Sequence, residues 1–367
     1  MSGEEVQGLF DREFGWSEVG WVAFRGMGKS MKKLACATAL AIGCSTASGL
    51  AADMKVTKAP PPPPVVSPWD IAFGSAIMSD YNFRGITQSN HHPSVAAYFE
   101  PRYNFTDALQ GYVGISGESI SFPNRAAAEI DLYAGIRPTF GKLALDFGFW
   151  EYWYPGGTCF NVAVFGECHD NADAVTGGLP INGNVIKSDL SFWEIYAKGT
   201  YTVNDQFSFG ASVYWSPSVL NSGADGTWAG GTAKYILPTV LPSGIGWFIS
   251  ADVGHWWLGT TDSFYCVAAA NGVFPAGCFD TLVGGMPYKS YTHWDAGLAF
   301  TWKQFTLDLR YYDTDLNKGD CNAFTSAQNA RFDGSFTSIN PGGFGTNWCG
   351  ATFIAKLSVD LTKDNLK

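Results

Sequence analysis

The sequence predicts an all-β protein, a closed antiparallel transmembrane β-barrel of about twelve strands with short periplasmic turns and long, disulfide-stapled outer loops. Three observations predict it. A two-residue apolar/polar period is written twice around a tight turn in residues 129–154. The chain carries an export signal, yet its mature part has no run of roughly 18–20 apolar residues that could form a spanning helix. Connections between the predicted strands alternate short and long.

In 129–154, Ile130, Leu132, Ala134 and Ile136 alternate with Glu129, Asp131, Tyr133, Gly135 and Arg137. After Phe140, Gly141 and Lys142, the residues Leu143, Leu145, Phe147 and Phe149 alternate with Ala144, Asp146 and Gly148. Side chains along a strand point alternately to opposite faces, so each segment has one apolar and one polar face. In a soluble sandwich the apolar faces meet inside, whereas in a membrane barrel they face lipid and the polar faces line a lumen.

The N-terminal region favours the second arrangement. Residues 31–51 read as a secretory signal: Lys32 and Lys33, a small apolar run, then Gly49-Leu50-Ala51, with cleavage after Ala51 or Ala52. Residues 1–30 are acidic (Glu4, Glu5, Asp11, Glu13, Glu18) and read as an over-extended N-terminus, with a tether as the alternative. Ala41-Ile42-Gly43-Cys44 resembles a lipoprotein cleavage site only weakly, because the position three before the cysteine is small. Residues 52–68 contain the run Pro60 to Pro64, which favours extended polyproline II and reads as a periplasmic linker. The barrel is expected over 69–361 and a short tail over 362–367.

Composition agrees. The chain has 43 glycines, 16% aromatic and only 15% charged residues, and a mean hydropathy of −0.01, which suits alternating strands in an exported chain. A net charge of −10 excludes a nucleic-acid binder, which needs a basic face. Of the eight cysteines, Cys36 and Cys44 fall in the signal. The other six form local pairs within long loops, Cys159 with Cys168, Cys266 with Cys278 and Cys321 with Cys349, although six cysteines formally allow 15 connectivities. In an oxidising compartment they read as staples rather than zinc ligands, since no C-x-x-C spacing occurs.

Taken in order, the strands are 69–78, 95–103, 109–117, the two halves of the 129–154 hairpin, 192–203, 206–215, 228–237, 246–256, 291–302, 304–312 and 351–361. In 192–203, Trp193, Ile195, Ala197 and Tyr201 oppose Glu194, Tyr196, Lys198 and Thr200. In 291–302, Trp294, Ala296, Leu298 and Phe300 oppose His293, Asp295, Gly297 and Thr301, and 304–312 sets Phe305, Leu307, Leu309 and Tyr311 against Thr306, Asp308, Arg310 and Tyr312. All three cysteine pairs then fall on the long-loop side. An open sheet edge cannot survive in hydrocarbon, so the first strand must pair with the last. Trp69, Tyr103, Phe140, Trp150, Trp153, Trp215, Trp247, Trp256, Trp257, Trp294 and Trp302 lie near strand ends and read as interfacial girdles, the alternative being the core of a secreted sandwich.

Ser79-Asp80-Tyr81-Asn82-Phe83-Arg84-Gly85-Ile86-Thr87-Gln88-Ser89 resembles the S-D-Y-x-F-R-G-I-S/T-Q-S signature of the TorF family of proteobacterial porins. Glu129 to Gly135, Tyr152 to Gly156, Trp193 to Tyr196 and Tyr311 to Thr314 are similar to later motifs of that family. The resemblance runs from about residue 69 to 361 and implies an outer-membrane, channel-like barrel. The chain departs from it in its enlarged cysteine-bearing loops, and it ends on Lys367 rather than on the aromatic that many outer-membrane barrels carry.

For the lumen, the candidate lining residues are Glu129, Asp131, Arg137, Asp146, Glu194, Lys198, Asp295, Asp308 and Arg310, with Asp70, Glu100, Arg102, Lys234, Asp252, Lys356 and Asp360 on the same faces. Acid exceeds base, which favours cations, and opposed acidic and basic walls orient polar solutes. The expected function is a passive, weakly cation-preferring porin-like channel for ions and small polar solutes. The alternative is a largely closed barrel whose charges pair across strands, acting as scaffold or adhesin through its outer loops. Asp80 and Arg84 read as a gating pair or as an ion pair ordering the strand end, with Tyr81 and Phe83 turned to the interface belt. No enzyme is expected, because no G-x-S-x-G or H-E-x-x-H occurs and Ser290 and His293, three apart, cannot share a strand face. His91 and His92 are expected to be inert. No metal or cofactor is assigned; the expected partners are outer-membrane lipid and small solutes or ions, with homo-oligomerisation left open.

Overall fold

The computed structural model describes residues 67–158, 185–238, 244–266, 272–278 and 284–366. The extra N-terminal segment, the signal, most of the proline-rich linker and the Cys159/Cys168 pair lie outside these residues.

Twelve antiparallel strands form the wall: β1 Trp69–Met78, β2 Ser94–Thr106, β3 Leu109–Glu118, β4 Glu129–Phe140, β5 Leu143–Trp153, β6 Phe192–Thr202, β7 Phe207–Ser216, β8 Gly226–Ile236, β9 Ile245–Leu258, β10 Tyr291–Trp302, β11 Phe305–Thr314 and β12 Thr352–Thr362. Each pairs with its sequence neighbours, and β1 pairs both with β2 (Trp69 opposite Tyr103) and with β12 (Phe73 opposite Leu361), so the sheet closes. Closure leaves no edge and satisfies every ladder within the wall, the condition for a sheet in hydrocarbon. The predicted strands are all present, with ends displaced by at most three residues.

The faces divide as the period predicts. Ile77, Val95, Val113, Ile115, Leu132, Ile136, Phe147, Ile195, Ile249, Val253 and Leu357 are exposed on the outside. A belt of large apolar side chains all around a protein is tolerated by acyl chains and not by water. The inward set includes Glu100, Glu129, Asp131, Arg137, Glu194, Asp308 and Lys356, all buried. Trp69, Phe140, Trp153, Trp215, Trp257, Trp294 and Trp302 stand outside near strand ends. Two residues expected in the girdles do not: Trp150 and Trp256 are fully buried inside the barrel. Their positions have inward parity, and their rings pack on other lumen aromatics, with Trp150 stacked on Tyr133 at 4.1 Å between centroids.

Glycine makes room for this interior. At Gly135 an added Cβ would lie 2.3 Å from the Tyr112 hydroxyl oxygen, and at Gly148 one would lie 2.4 Å from that of Tyr196. The rings therefore lie flat over bare backbone on neighbouring strands.

The long connections share one end of the barrel. There Cys266 pairs with Cys278 and Cys321 with Cys349, as expected from their spacing. The last of these loops carries helix α1, Lys318–Thr325, whose first turn is capped by Asn317, the side-chain oxygen accepting the Asp320 N–H at 2.8 Å.

Candidate functional site

The site is built around the loop after β1. That strand stops at Met78, and residues 79–93 turn back into the barrel mouth. Asn82–Phe83 pairs with Ile86–Thr87 in a small hairpin whose two central residues, Arg84 and Gly85, have φ of 48° and 83°. Positive φ at both positions marks a type I′ turn, whose twist suits a two-residue hairpin. Gly85 meets a second constraint, because a Cβ there would fall 2.3 Å from Cγ2 of Thr314 on the wall. Hence only glycine lets the tip approach so closely.

The turn drives Arg84 into the lumen. Its guanidinium donates to both carboxylate oxygens of Glu194 on β6, at 2.9 and 2.7 Å. It also lies 4.5–5.2 Å from the ring centroids of Phe83, Tyr214, Trp228 and Trp256. A planar cation in an aromatic cage with a bidentate acid is the environment that suits arginine rather than lysine. Beside it, Tyr81 donates its hydroxyl to Glu129 at 2.6 Å. These contacts correct two expectations. Arg84 does not pair with Asp80, and Tyr81 and Phe83 point into the lumen, because the chain leaves the strand before reaching them.

Asp80 anchors the base of the hairpin instead. It accepts from the hydroxyls of Thr87 and Ser89 and faces Nδ1 of His91 at 2.8 Å. His91, expected to be inert, clasps two loops: its Nε2 lies 3.3 Å from the carbonyl of Asn347. The Asp80 hydrogen bond raises the His91 pKa, partial burial opposes it, and the Asp80 charge and the Asn347 carbonyl add to the rise. Trp348 completes the clasp, donating Nε1–H to Asn90 and accepting the Thr87 N–H through its carbonyl. Cys349, next in the chain, is bonded to Cys321 in α1, so the staple sets the lid over the hairpin.

Below the plug the charged side chains are joined into networks. Arg137 grips Glu100 through two nitrogens at 2.8 and 3.0 Å and reaches Asp146 at 3.3 Å, while Arg102 donates to Glu100 at 2.6 Å. Lys198 stands opposite Asp146 in register. Arg310 binds Asp295 and Asp308, and Lys356 stands opposite Asp308. All nine residues expected to line the lumen are buried. Arg137, Asp146, Glu194, Lys198, Asp295, Asp308 and Arg310 have neighbours of opposite charge, whereas Glu129 and Asp131 lie beside another acid, Glu118. Sequence reading missed Glu118, the actual partners of Asp80 and the inward role of Arg84. The available signal for the last was Gly85 at the second centre of a two-residue turn between Phe83 and Ile86.

Two groups have donor spacing suited to a metal ion: Glu118, Glu129 and Asp131, and Asp252, His293 and Asp295, with ligand atoms within 4.8 Å of one another in each. Hard carboxylate oxygens in the first suit calcium or magnesium, and the mixed second group suits a first-row metal. Ser290, considered as a nucleophile, accepts the Leu258 N–H and serves the backbone.

Fold and site together define an outer-membrane-type β-barrel with a charged, plugged lumen. The family model described as a bacterial protein of unknown function (Gcw_chp) matches residues 64–210, which include the plug hairpin and the strands carrying Glu129, Asp146 and Glu194. No curated protein matches the chain. Among solved structures, it is similar to an outer membrane channel from Pseudomonas putida F1, at 12% identity over 82% of this chain and 97% of that one, with a TM-score of 0.37. It is also similar to LpxR from Salmonella typhimurium, at 11% identity over 79% and 99% with a TM-score of 0.37, and to the NanC porin, at 8% over 80% and 100% with a TM-score of 0.34.

Proposed function

We propose that this protein is a porin-like outer-membrane channel for ions and small polar solutes, held narrow by the seated hairpin and weakly preferring cations. The observation that carries the reading is a charged lumen enclosed by a lipid-facing apolar wall and stoppered by a loop latched to that wall by the Arg84–Glu194 ion pair. Solvent-free packing of a wholly structural core needs no such charges, since buried ion pairs add little stability over apolar residues. The resemblance to TorF porins supports the same reading, and the excess of inward carboxylates supports the cation preference.

Planar-bilayer recording tests it. Wild type is expected to give small, cation-selective currents in a potassium chloride gradient, and Arg84→Ala larger ones. A clear anion preference overturns the sign. A second reading, a closed barrel serving as scaffold or adhesin through its outer loops, is favoured by the pairing of the lumen charges. Correctly inserted wild type and Arg84→Ala that both carry no current would establish it over the channel.

A further inference from the structure

Above the plug, the outer loops form a small, partly open recess whose chemistry is opposite to that of the lumen. Its floor is Phe83 and Ile86 of the hairpin. Phe122, Leu190, Trp256 and Phe324 are among its walls. None of the described residues lining it is charged. The four that carry short polar side chains already have partners of their own: Thr87 donates to Asp80, Gln88 to the Ile86 carbonyl, Thr325 to the Cys321 carbonyl and Ser326 to the Val185 carbonyl.

A sugar or amino acid entering this space would give up hydrogen bonds to water with few donors or acceptors to replace them. A compact uncharged apolar molecule would instead bury its surface, at about 25 cal/mol per Å², against rings that favour edge and offset contacts. We infer that the recess is a binding site for such a molecule, aromatic or short-chain aliphatic. The molecule rests on Phe83 and Ile86, so it binds the seated hairpin and stabilises it by mass action. The binding itself is independent of whether the barrel conducts.

Equilibrium dialysis of 1-naphthol against the full chain in lipid nanodiscs, with empty nanodiscs subtracted, tests the inference without any measurement of current. The expected result is one saturable site that D-glucose and glycine do not displace. Two variants, each checked for folding by heat-modifiable gel mobility, locate the site. Thr325→Trp fills the recess from the rim of α1, and Leu190→Asp places a charge in its wall; each should weaken binding by about tenfold or more, the scale set by a lost apolar contact or a buried carboxylate. Hydrogen exchange of residues 81–89 should slow when naphthol is present. Uptake equal to empty nanodiscs, displacement by glucose, or saturable binding unchanged in both folded variants would overturn the site.

Discussion

Arg84 and Glu194, 110 residues apart in the chain, meet inside the barrel through two parallel N–H to carboxylate hydrogen bonds. Both side chains are almost wholly withdrawn from solvent. This pair joins the first outer loop to a strand on another part of the wall, beside the Tyr81–Glu129 hydrogen bond and the aromatic cage.

Removing one partner should release the loop. Glu194→Gln leaves the Arg84 guanidinium buried without its acid, a change that typically costs about 3–5 kcal/mol. The hairpin is expected to leave its seat while the barrel stays folded, seen as faster hydrogen exchange in residues 81–89 with unchanged exchange in β4 and β5. Slow exchange retained in the hairpin would assign the hold to the aromatic cage.

Gly85→Ala tests the turn separately from the ion pair. The substitution puts a side chain at a positive φ and against Thr314, so the tip cannot stay where it is. The variant should reproduce the exchange pattern of Glu194→Gln although both charges remain.

A pH dependence follows from His91. Its pKa is raised in the folded protein by Asp80, so the protonated ring stabilises the clasp. That stabilisation is fully present below the unfolded value of about 6.5 and is lost as pH rises through the higher folded value. Both ring nitrogens face oxygen acceptors, which only the imidazolium can serve with two donors. Protection of residues 86–92, taken relative to the intrinsic exchange rate at each pH, should therefore fall between mildly acidic and alkaline pH, and His91→Gln should remove most of that fall.

The staple between Cys321 and Cys349 closes 28 residues of chain, for which the loop-entropy model gives roughly 3–4 kcal/mol. Replacing both with serine should make the last outer loop sensitive to limited proteolysis while the heat-modifiable gel shift of the barrel persists. Loss of the shift would mean that the loop is needed to close the wall.

Charge on the outer face should be costly in proportion to depth. Val253→Arg, on the exposed face of β9, is expected to destabilise the folded barrel in lipid by about 2–4 kcal/mol if it lies near the bilayer midplane. The same change at Phe140, beside a short turn, should cost about 0–1 kcal/mol. Urea titration in phosphocholine bilayers measures both.

The wall was legible in the residues alone because a strand's period is local: Ile130, Leu132 and Ile136 against Glu129, Asp131 and Arg137 declare two faces before any partner strand is known. Strand order followed from short and long connections, and the Cys266–Cys278 and Cys321–Cys349 pairs from spacing. What filled the barrel was not local. Parity places Trp150 and Trp256 inward, but abundance near strand ends suggested girdles, and only the closed wall shows which rings have neighbours to stack on. Asp80, Tyr81, Phe83 and Arg84 read as a strand end until β1 is seen to stop at Met78. The partners of Arg84 come from β6, β7, β8 and β9, consecutive neighbours in the wall, but the hairpin that carries Arg84 follows β1, several strands away, and reaches them across the lumen only when the sheet has closed on itself, so the contact is a property of the tertiary structure.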